Sequence, residues 1–184
     1  VARGLYGPLI VTDNEPSENI RDIVLMADDW RLDANRRFDE ASIGSLHDWS
    51  HSGRLGNWLT VNGQSRPEIP IPQTDLVRLR FVNAANARVL SFQLSRRAPM
   101  QIIALDGAPC IPFNVDTLRL GPAQRADVIV QAGPDLGSLY EVTAGDNFEA
   151  ARFVSKRVSE SVLGNISTSP WYPYPDTKDA KLIN

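Results

Sequence analysis

Apolar residues recur at every second position along much of this chain, and that alternation constrains its fold more than any other feature. In residues 76–83, Leu79 and Phe81 alternate with Arg78 and Arg80. Successive side chains of a β-strand point to opposite faces of a sheet, so this spacing predicts a strand with one buried face. We also predict strands at 20–27, 58–61, 89–94, 101–105, 117–120, 125–132 and 138–144.

The segments between these strands are rich in turn-forming residues. Asn62-Gly63 and Asp106-Gly107 each follow a predicted strand, and Gly121-Pro122 separates two others. Such pairs favour tight turns between neighbouring strands. No apolar stripe with helical spacing separates the strands, which argues against a parallel α/β architecture. The sequence therefore predicts an all-β domain, an antiparallel Greek-key β-sandwich or barrel.

Two stretches break the strand pattern. Residues 33–56 are polar and have no sustained apolar period, so we predict a long loop with one short helical turn near Ser42–Trp49. A loop of this length in a compact domain is usually functional or an interface. Pro67, Pro70 and Pro72 keep the next stretch extended and outside the interior of a sheet.

Charge and cysteine content exclude several classes of function. The 184 residues include 22 acidic and 19 basic side chains, a formal net charge of −3. A general nucleic-acid or anionic-membrane binder would carry a basic surplus, so neither partner is expected. No apolar run approaches the roughly 20 residues of a membrane-spanning helix. A single cysteine excludes an intrachain disulfide and a four-thiolate metal site.

His47, His51 and Cys110 are the candidate metal ligands. On a helix, the spacing of the two histidines would place both rings on one face, but a metal site needs a third ligand. We interpret them as loop histidines that make ordinary hydrogen bonds. Cys110 lies between Pro109 and Pro112, with no base beside it, so we expect a buried, unreactive thiol.

Two pairs of charged residues invite a functional interpretation. Asp28 and Asp29 are adjacent at a strand end, where their side chains should point in opposite directions. We therefore expect a turn or an ion pair rather than a shared proton. Arg125 and Asp127 are two residues apart and share one face of a strand. If that strand lies at the edge of the sandwich, near the interdomain face, we expect the pair to order the Gly121-Pro122 turn.

No residue is assigned a catalytic, cofactor-binding or metal-binding role. Glycine motifs for phosphate binding are missing from the sequence. Asn165-Ile166-Ser167 fits the short acceptor pattern for N-glycosylation, which depends on the host. From the residues alone, the chain is a soluble all-β domain, and its start within an apparent strand suggests a fragment of a longer protein.

Several blocks in their order resemble the multicopper oxidase family, in particular its bacterial three-domain, laccase-like group. The resemblance covers roughly residues 4–144. The blocks that carry it are Gly4–Val11, Leu59–Gly63, Leu76–Ala84, Ile103–Gly107 and Leu118–Val128.

The resemblance implies a cupredoxin-like fold and a division into three parts. Residues 1–13 would be the last strand of the preceding cupredoxin domain. Residues 14–150 would be the second cupredoxin-like domain, and 151–184 a linker or tail toward a third domain. The flanking domains of the same protein are then the expected partners of this chain.

The resemblance also implies where the copper lies. In this family the type 1 copper sits in the last domain, and a trinuclear cluster lies between the first and last domains, held by His-x-His pairs. This chain contains neither His-x-His nor His-Cys-His. We therefore expect copper in the full-length protein and none in this chain, apart from adventitious Cu(II) at His47 or His51.

The implied function belongs to the full-length protein, with this chain as an inactive scaffold. The full-length protein would be an oxidoreductase, periplasmic or extracellular. It would oxidise phenolic, aromatic or metal-ion substrates by one-electron steps and reduce O2 to water. Two alternatives stay open. One is a copper-free relative that acts as a binding or structural protein of the bacterial envelope. The other is a free-standing cupredoxin-like binding domain, against which the family-like first strand argues.

Overall fold

The computed structural model describes residues 3–11, 20–72, 76–133, 136–143 and 147–156. Within them lie eleven strands: β1 (Arg21–Trp30), β2 (Trp58–Val61), β3 (Glu68–Pro72), β4 (Leu76–Asn83), β5 (Leu90–Leu94), β6 (Met100–Leu105), β7 (Ala108–Val115), β8 (Leu118–Leu120), β9 (Arg125–Gln131), β10 (Ser138–Glu141) and β11 (Phe148–Lys156). One short helix, α1, spans Leu46–Ser50, and single 3-10 turns lie at Glu40–Ser42 and Ser95–Arg97. The helical turn predicted near Ser42–Trp49 is therefore confirmed.

The strands form two sheets, which confirms the all-β prediction. One sheet has the order β2-β1-β4-β9-β6-β7, and the other the order β3-β11-β10-β5-β8. β4 shows the predicted alternation: Val77, Leu79 and Phe81 are buried, whereas Arg78 and Arg80 are only partly so. Between the sheets, the rings of Phe81 and Phe92 lie 5.3 Å apart in the middle of the core.

Two of the strand pairs are parallel, whereas the sequence predicted antiparallel pairing throughout. β1 pairs with β4 and β3 pairs with β11 in parallel, and the other ladders are antiparallel. A parallel pair needs a long connection, and both pairs have one. The polar segment between β1 and β2, in contrast, joins two strands that are antiparallel neighbours in the sheet.

Proline-containing strands lie at the sheet edges. β3 is the outer strand of its sheet, as Pro70 and Pro72 predicted. β7, which the sequence analysis missed, contains Pro109 and Pro112 and is the outer strand of the other sheet. An edge strand needs hydrogen bonds on one side only, so proline is tolerated there.

β11 extends to Lys156, past the predicted domain end at residue 150. The division of the chain into domains stays a prediction. A bulge in the β10–β11 ladder leaves Ala150 and Ala151 both buried. This irregularity interrupts the period of two and hides the strand in the sequence. The rest of the predicted linker, with Asn165-Ile166-Ser167, lies outside the described residues.

The segment 3–11 pairs with no strand of the described chain. Its assignment to a preceding domain therefore stays a prediction. Leu5, Leu9 and Val11 are strongly exposed in this segment. None of the helices in the described ranges is long and apolar enough to cross a membrane.

Candidate functional site

A pocket of about 480 Å³ opens between the two sheets at one end of the sandwich. Strands β1 and β2 supply one wall, and β5, β10 and β11 supply the other. The connections before β2, after β2 and before β5 complete it. The lining side chains used below are Asp29, Trp58, Leu59, Arg66, Arg88, Leu90, Glu141 and Phe148.

Asp29 and Arg88 form the rigid floor of the pocket. Asp29 is buried at the end of β1, with its side chain 3% exposed. The Nε of Arg88 donates to Asp29 Oδ2 at 2.8 Å, and its Nη2 donates to the carbonyl of Gly56 at 2.6 Å. A buried carboxylate needs such a partner, because desolvation of an unpaired charge is costly. Arg88 therefore ties β1 to the segment before β2.

Gly56 allows this arrangement because its backbone comes unusually close to β1. Its N–H donates to Asp29 Oδ2 at 2.6 Å. A Cβ at this position would lie 2.5 Å from the carbonyl carbon of Asp29, closer than real Cβ atoms approach. Only glycine fits there without a backbone shift.

Asn83 holds the connection that carries Arg88. Its buried side-chain NH2 donates to the carbonyls of Arg88 at 2.8 Å and Leu120 at 2.9 Å, and its Oδ1 accepts from the N–H of Ala85. The side chain thus replaces backbone partners at the point where β4 ends. It fixes the start of the loop that brings Arg88 over Asp29.

Glu141 is the buried carboxylate of the opposite wall. Its Oε1 accepts from the N–H of Ser91 at 3.1 Å and of Thr143 at 2.9 Å. Its Oε2 has no hydrogen-bond partner among the described residues. One oxygen is therefore structural, and the other retains its capacity to accept.

Arg66 and Phe148 form the rim. The guanidinium of Arg66 lies over the Phe148 ring, 4.9 Å from its centroid, in a cation–π contact. Arg66 makes no hydrogen bond to the described residues. The carboxylate of Glu149 is near enough to feel the charge of Arg66, but it accepts no hydrogen bond from it. The donors of Arg66 are therefore available to an anion beside an aromatic surface.

The side chains of Asp28 and Asp29 have different partners, which agrees with the prediction that they do not share a proton. Asp28 accepts a hydrogen bond from the Tyr6 hydroxyl, whereas Asp29 faces Arg88. Burial raises the pKa of Asp28. Burial and the hydrogen bond to Asp28 also raise the pKa of Tyr6. These contacts fasten the segment 3–11 to β1.

His47 and His51 lie on and just after α1. Their rings stack with centroids 4.3 Å apart, and His51 Nδ1 lies 3.0 Å from the carbonyl of His47. The hydrogen bond predicted for the His51 ring is present, whereas the ring of His47 makes none with the described residues. The placement of both in a loop was wrong for His47, which lies within α1. Cys110 on β7 is half-buried instead of buried as expected, because β7 is an edge strand, and burial raises the pKa of its thiol. Over the described ranges, no three His, Cys, Asp or Glu side chains gather as a metal site would require.

The predicted Arg125–Asp127 pair does not form, because each side chain has another partner. Asp127 lies 3.6 Å from Arg80 on β4, and burial raises the pKa of this carboxyl. Arg125 Nη1 lies 3.5 Å from Asp106 and donates to the carbonyl of Ala123. β9 is also an inner strand, between β4 and β6, so the edge placement that the prediction assumed does not hold. Cross-strand neighbours compete successfully with a residue two positions away.

We therefore expect Arg125→Ala to lower the free energy of unfolding by less than about 1 kcal/mol, instead of the large loss that a buried pair would give. Arg125 and Asp106 are 48% and 53% exposed, so solvent screens their attraction. Chemical denaturation of both proteins measures the difference. A loss of several kcal/mol would contradict the exposed placement.

The sequence analysis missed the residues that make the pocket. Arg88, Glu141 and Arg66 come from three separate connections or strand ends, and no short motif joins them. Asp29 alone was singled out. The only local signal for the others was an isolated charge beside an apolar strand.

Comparison with known proteins gives concordant matches. The family model described as multicopper oxidase matches residues 21–157. The cell division protein FtsP of Edwardsiella tarda is 34% identical over 79% of this chain, and the match covers 31% of that protein. A second FtsP, from Rahnella, is 31% identical over 79% of this chain and 31% of its own length.

Among solved structures, the multi-copper oxidase from Pseudomonas thermotolerans superposes with a TM-score of 0.77 at 26% identity. The match covers 95% of this chain and 41% of that oxidase. Lac15 from a marine microbial metagenome has a TM-score of 0.68 at 29% identity, over 92% of this chain and 42% of its own. The chain spans under a third of the length of the two FtsP proteins. These matches confirm the cupredoxin-like fold, and the chain belongs to the multicopper oxidase family.

Proposed function

We propose that this chain is the non-catalytic middle part of a multicopper oxidase. The observation that carries the proposal is the match over 95% of this chain but only 41% of an oxidase. Residues 14–156 would form the second cupredoxin-like domain, with 1–13 from the preceding domain and the remaining residues a linker to a third. The exposed apolar side chains of Leu5, Leu9 and Val11 support a neighbouring domain on that side.

The residues of this chain do not fit a blue copper centre. Such a centre needs one thiolate and two imidazoles in one coordination sphere. Here the two imidazoles stack on each other at α1, and the thiol lies on β7. We therefore assign the copper chemistry to other parts of the full-length protein. The role of this chain is to space and orient them.

The full-length protein, on this proposal, is a periplasmic or extracellular oxidase. It takes single electrons from small phenolic, aromatic or metal-ion substrates and reduces O2 to water. Resemblance to solved oxidases and a laccase-like oxidase supports this part of the proposal.

A second candidate is a copper-free binding or structural protein of the envelope. Curated relatives between 30% and 34% identical are named cell division protein FtsP, which favours this candidate. On this alternative, the sandwich would serve as a binding module instead of a spacer.

We expect the 184-residue chain, dialysed against Cu(II) and freed of excess metal, to retain no stoichiometric copper and no intense band near about 600 nm. Weak binding at the exposed imidazoles should disappear in the His47→Ala/His51→Ala double variant. Metal analysis and visible absorption measure both. A stoichiometric blue copper would contradict the scaffold assignment.

Measurements on the full-length protein distinguish the two candidate functions. Bound copper together with O2 consumption on a phenolic substrate would support the oxidase. If the full-length protein retains no metal after exposure to copper and consumes no O2, the result would support the envelope protein instead. The isolated chain is the matched control, because it should be inactive in either case.

A further inference from the structure

We propose that the pocket between the sheet ends binds a small zwitterion, an amino acid or short peptide with a free ammonium, a free carboxylate and an apolar side chain. The site involves no metal ligand and lies outside the function proposed above. The arrangement of its charges, its apolar wall and its size carries the inference.

The four charged side chains of the pocket divide into a closed pair and an open pair. Asp29 and Arg88 neutralise each other at 2.8 Å, and the second carboxylate oxygen, Asp29 Oδ1, is buried without a hydrogen bond to any described residue. Arg66 and Glu141 do not bond to each other, and each keeps unused capacity. Arg66 has free N–H donors, and Glu141 has a free Oε2 while its residue is only 8% exposed. A buried, half-satisfied carboxylate at a pocket wall favours a donor from a ligand.

The signs of these charges select the ligand class. A simple anion would meet the negative charge of Glu141, whereas a simple cation would meet the positive charge of Arg66. Like charges brought together in a partly desolvated site are strongly unfavourable. A zwitterion satisfies both walls: its carboxylate accepts from Arg66, and its ammonium donates to Glu141 Oε2. Charge-assisted hydrogen bonds of this kind are the strong ones.

The remaining surface of the pocket is apolar and aromatic. Leu59 and Leu90 lie at the wall, and Trp58 and Phe148 lie nearer the opening. A pocket lined by apolar groups with a few convergent polar atoms is typical of small-molecule sites. At about 480 Å³, this pocket has room for an aromatic amino acid or a dipeptide.

Hydrogen bonds within the protein hold the walls of the pocket in place. Asn83 fixes the loop of Arg88, and Gly56 holds the opposite segment against β1. Backbone N–H groups of Ser91 and Thr143 orient Glu141. Such preorganisation lowers the entropy that binding must overcome.

The test is calorimetric titration of the 184-residue chain with four probes: L-phenylalanine, the dipeptide phenylalanyl-alanine, its N-acetyl form and its C-terminal amide. We expect the zwitterionic dipeptide or the amino acid to bind at least about tenfold more tightly than either blocked form, since each blocked form loses one charged hydrogen bond. Whichever of the two zwitterions binds with the higher affinity indicates the size of the ligand.

Variants of the open pair provide the second readout. Arg66→Asn should weaken binding of the preferred zwitterion about tenfold and leave binding of the amide unchanged. Arg66 has a φ of 51°, which asparagine tolerates. Arg36→Asn is the matched control, because Arg36 is also exposed with a φ of 61° but does not line the pocket. Glu141→Gln should weaken the zwitterion but not the N-acetyl form.

Circular dichroism and melting of each variant establish that it is folded. The proposal is overturned if no probe binds at millimolar concentration, if all four bind alike, or if folded Arg66→Asn binds as the parent chain does. None of these outcomes depends on copper, so the oxidase proposal would stand or fall separately.

Discussion

Arg88→Ala is expected to lower the free energy of unfolding by about 3–5 kcal/mol, because it leaves the carboxylate of Asp29 buried without its partner. The Asp29 side chain is only 3% exposed, and its Oδ1 already lacks a hydrogen bond within the described chain. The variant also loses the bond to the Gly56 carbonyl, so the wall of the pocket loosens. Urea denaturation of the chain measures the loss.

A double-mutant cycle tests the cause of that loss. Asp29→Asn combined with Arg88→Ala should be less destabilised than the sum of the two single variants, because the double variant no longer buries an unpaired charge. Strict additivity of the two losses would contradict a direct interaction. Arg119→Ala, an exposed arginine on β8, serves as the control and should change stability little.

Phe81→Ala is expected to cost about 3–5 kcal/mol, because it opens a cavity in the middle of the core. Phe81 is buried on β4, and its ring lies against Phe92 from the facing sheet. The same substitution at Phe113, which is 45% exposed on the edge strand β7, is the matched control. We expect that control to cost less than about 1 kcal/mol. Equal losses at the two positions would contradict the described packing.

Most strands were predictable because one face of each is buried. β4 follows the alternation, and β2 and β6 end directly before the predicted turns Asn62-Gly63 and Asp106-Gly107. β7 and β11 were missed for two local reasons. β7 carries prolines that an inner strand would not tolerate, and β11 contains a bulge that places Ala150 and Ala151 both inside. Sequence periodicity predicts regular, half-buried strands, but it does not detect strands that contain prolines at a sheet edge or a bulge.

The pocket could not be predicted in the same way, because its chemistry comes from long-range pairing. Asp29 was expected in an ion pair or a turn, but its partner Arg88 lies 59 residues away. Arg66 and Glu141 line the same pocket because the β2–β3 connection and the end of β10 lie at the same end of the sandwich. Likewise, the carboxylate of Asp127 pairs with Arg80, whereas the sequence predicted Arg125 as its partner. Which distant charge is nearest depends on topology.

The strand order also governs how the chain can fold during its synthesis. β1 pairs with β4 on its inner side, and β4 pairs with β9, which follows much later in the chain. β3 pairs with β11, which ends at Lys156. Ribosomes add about 5–20 residues per second, so the first strands wait on the order of ten seconds for their final partners. During that interval they expose unpaired edges, which are sites of aggregation. A nascent chain halted before β9 would lack a complete central sheet and would be a natural substrate for chaperones and proteases.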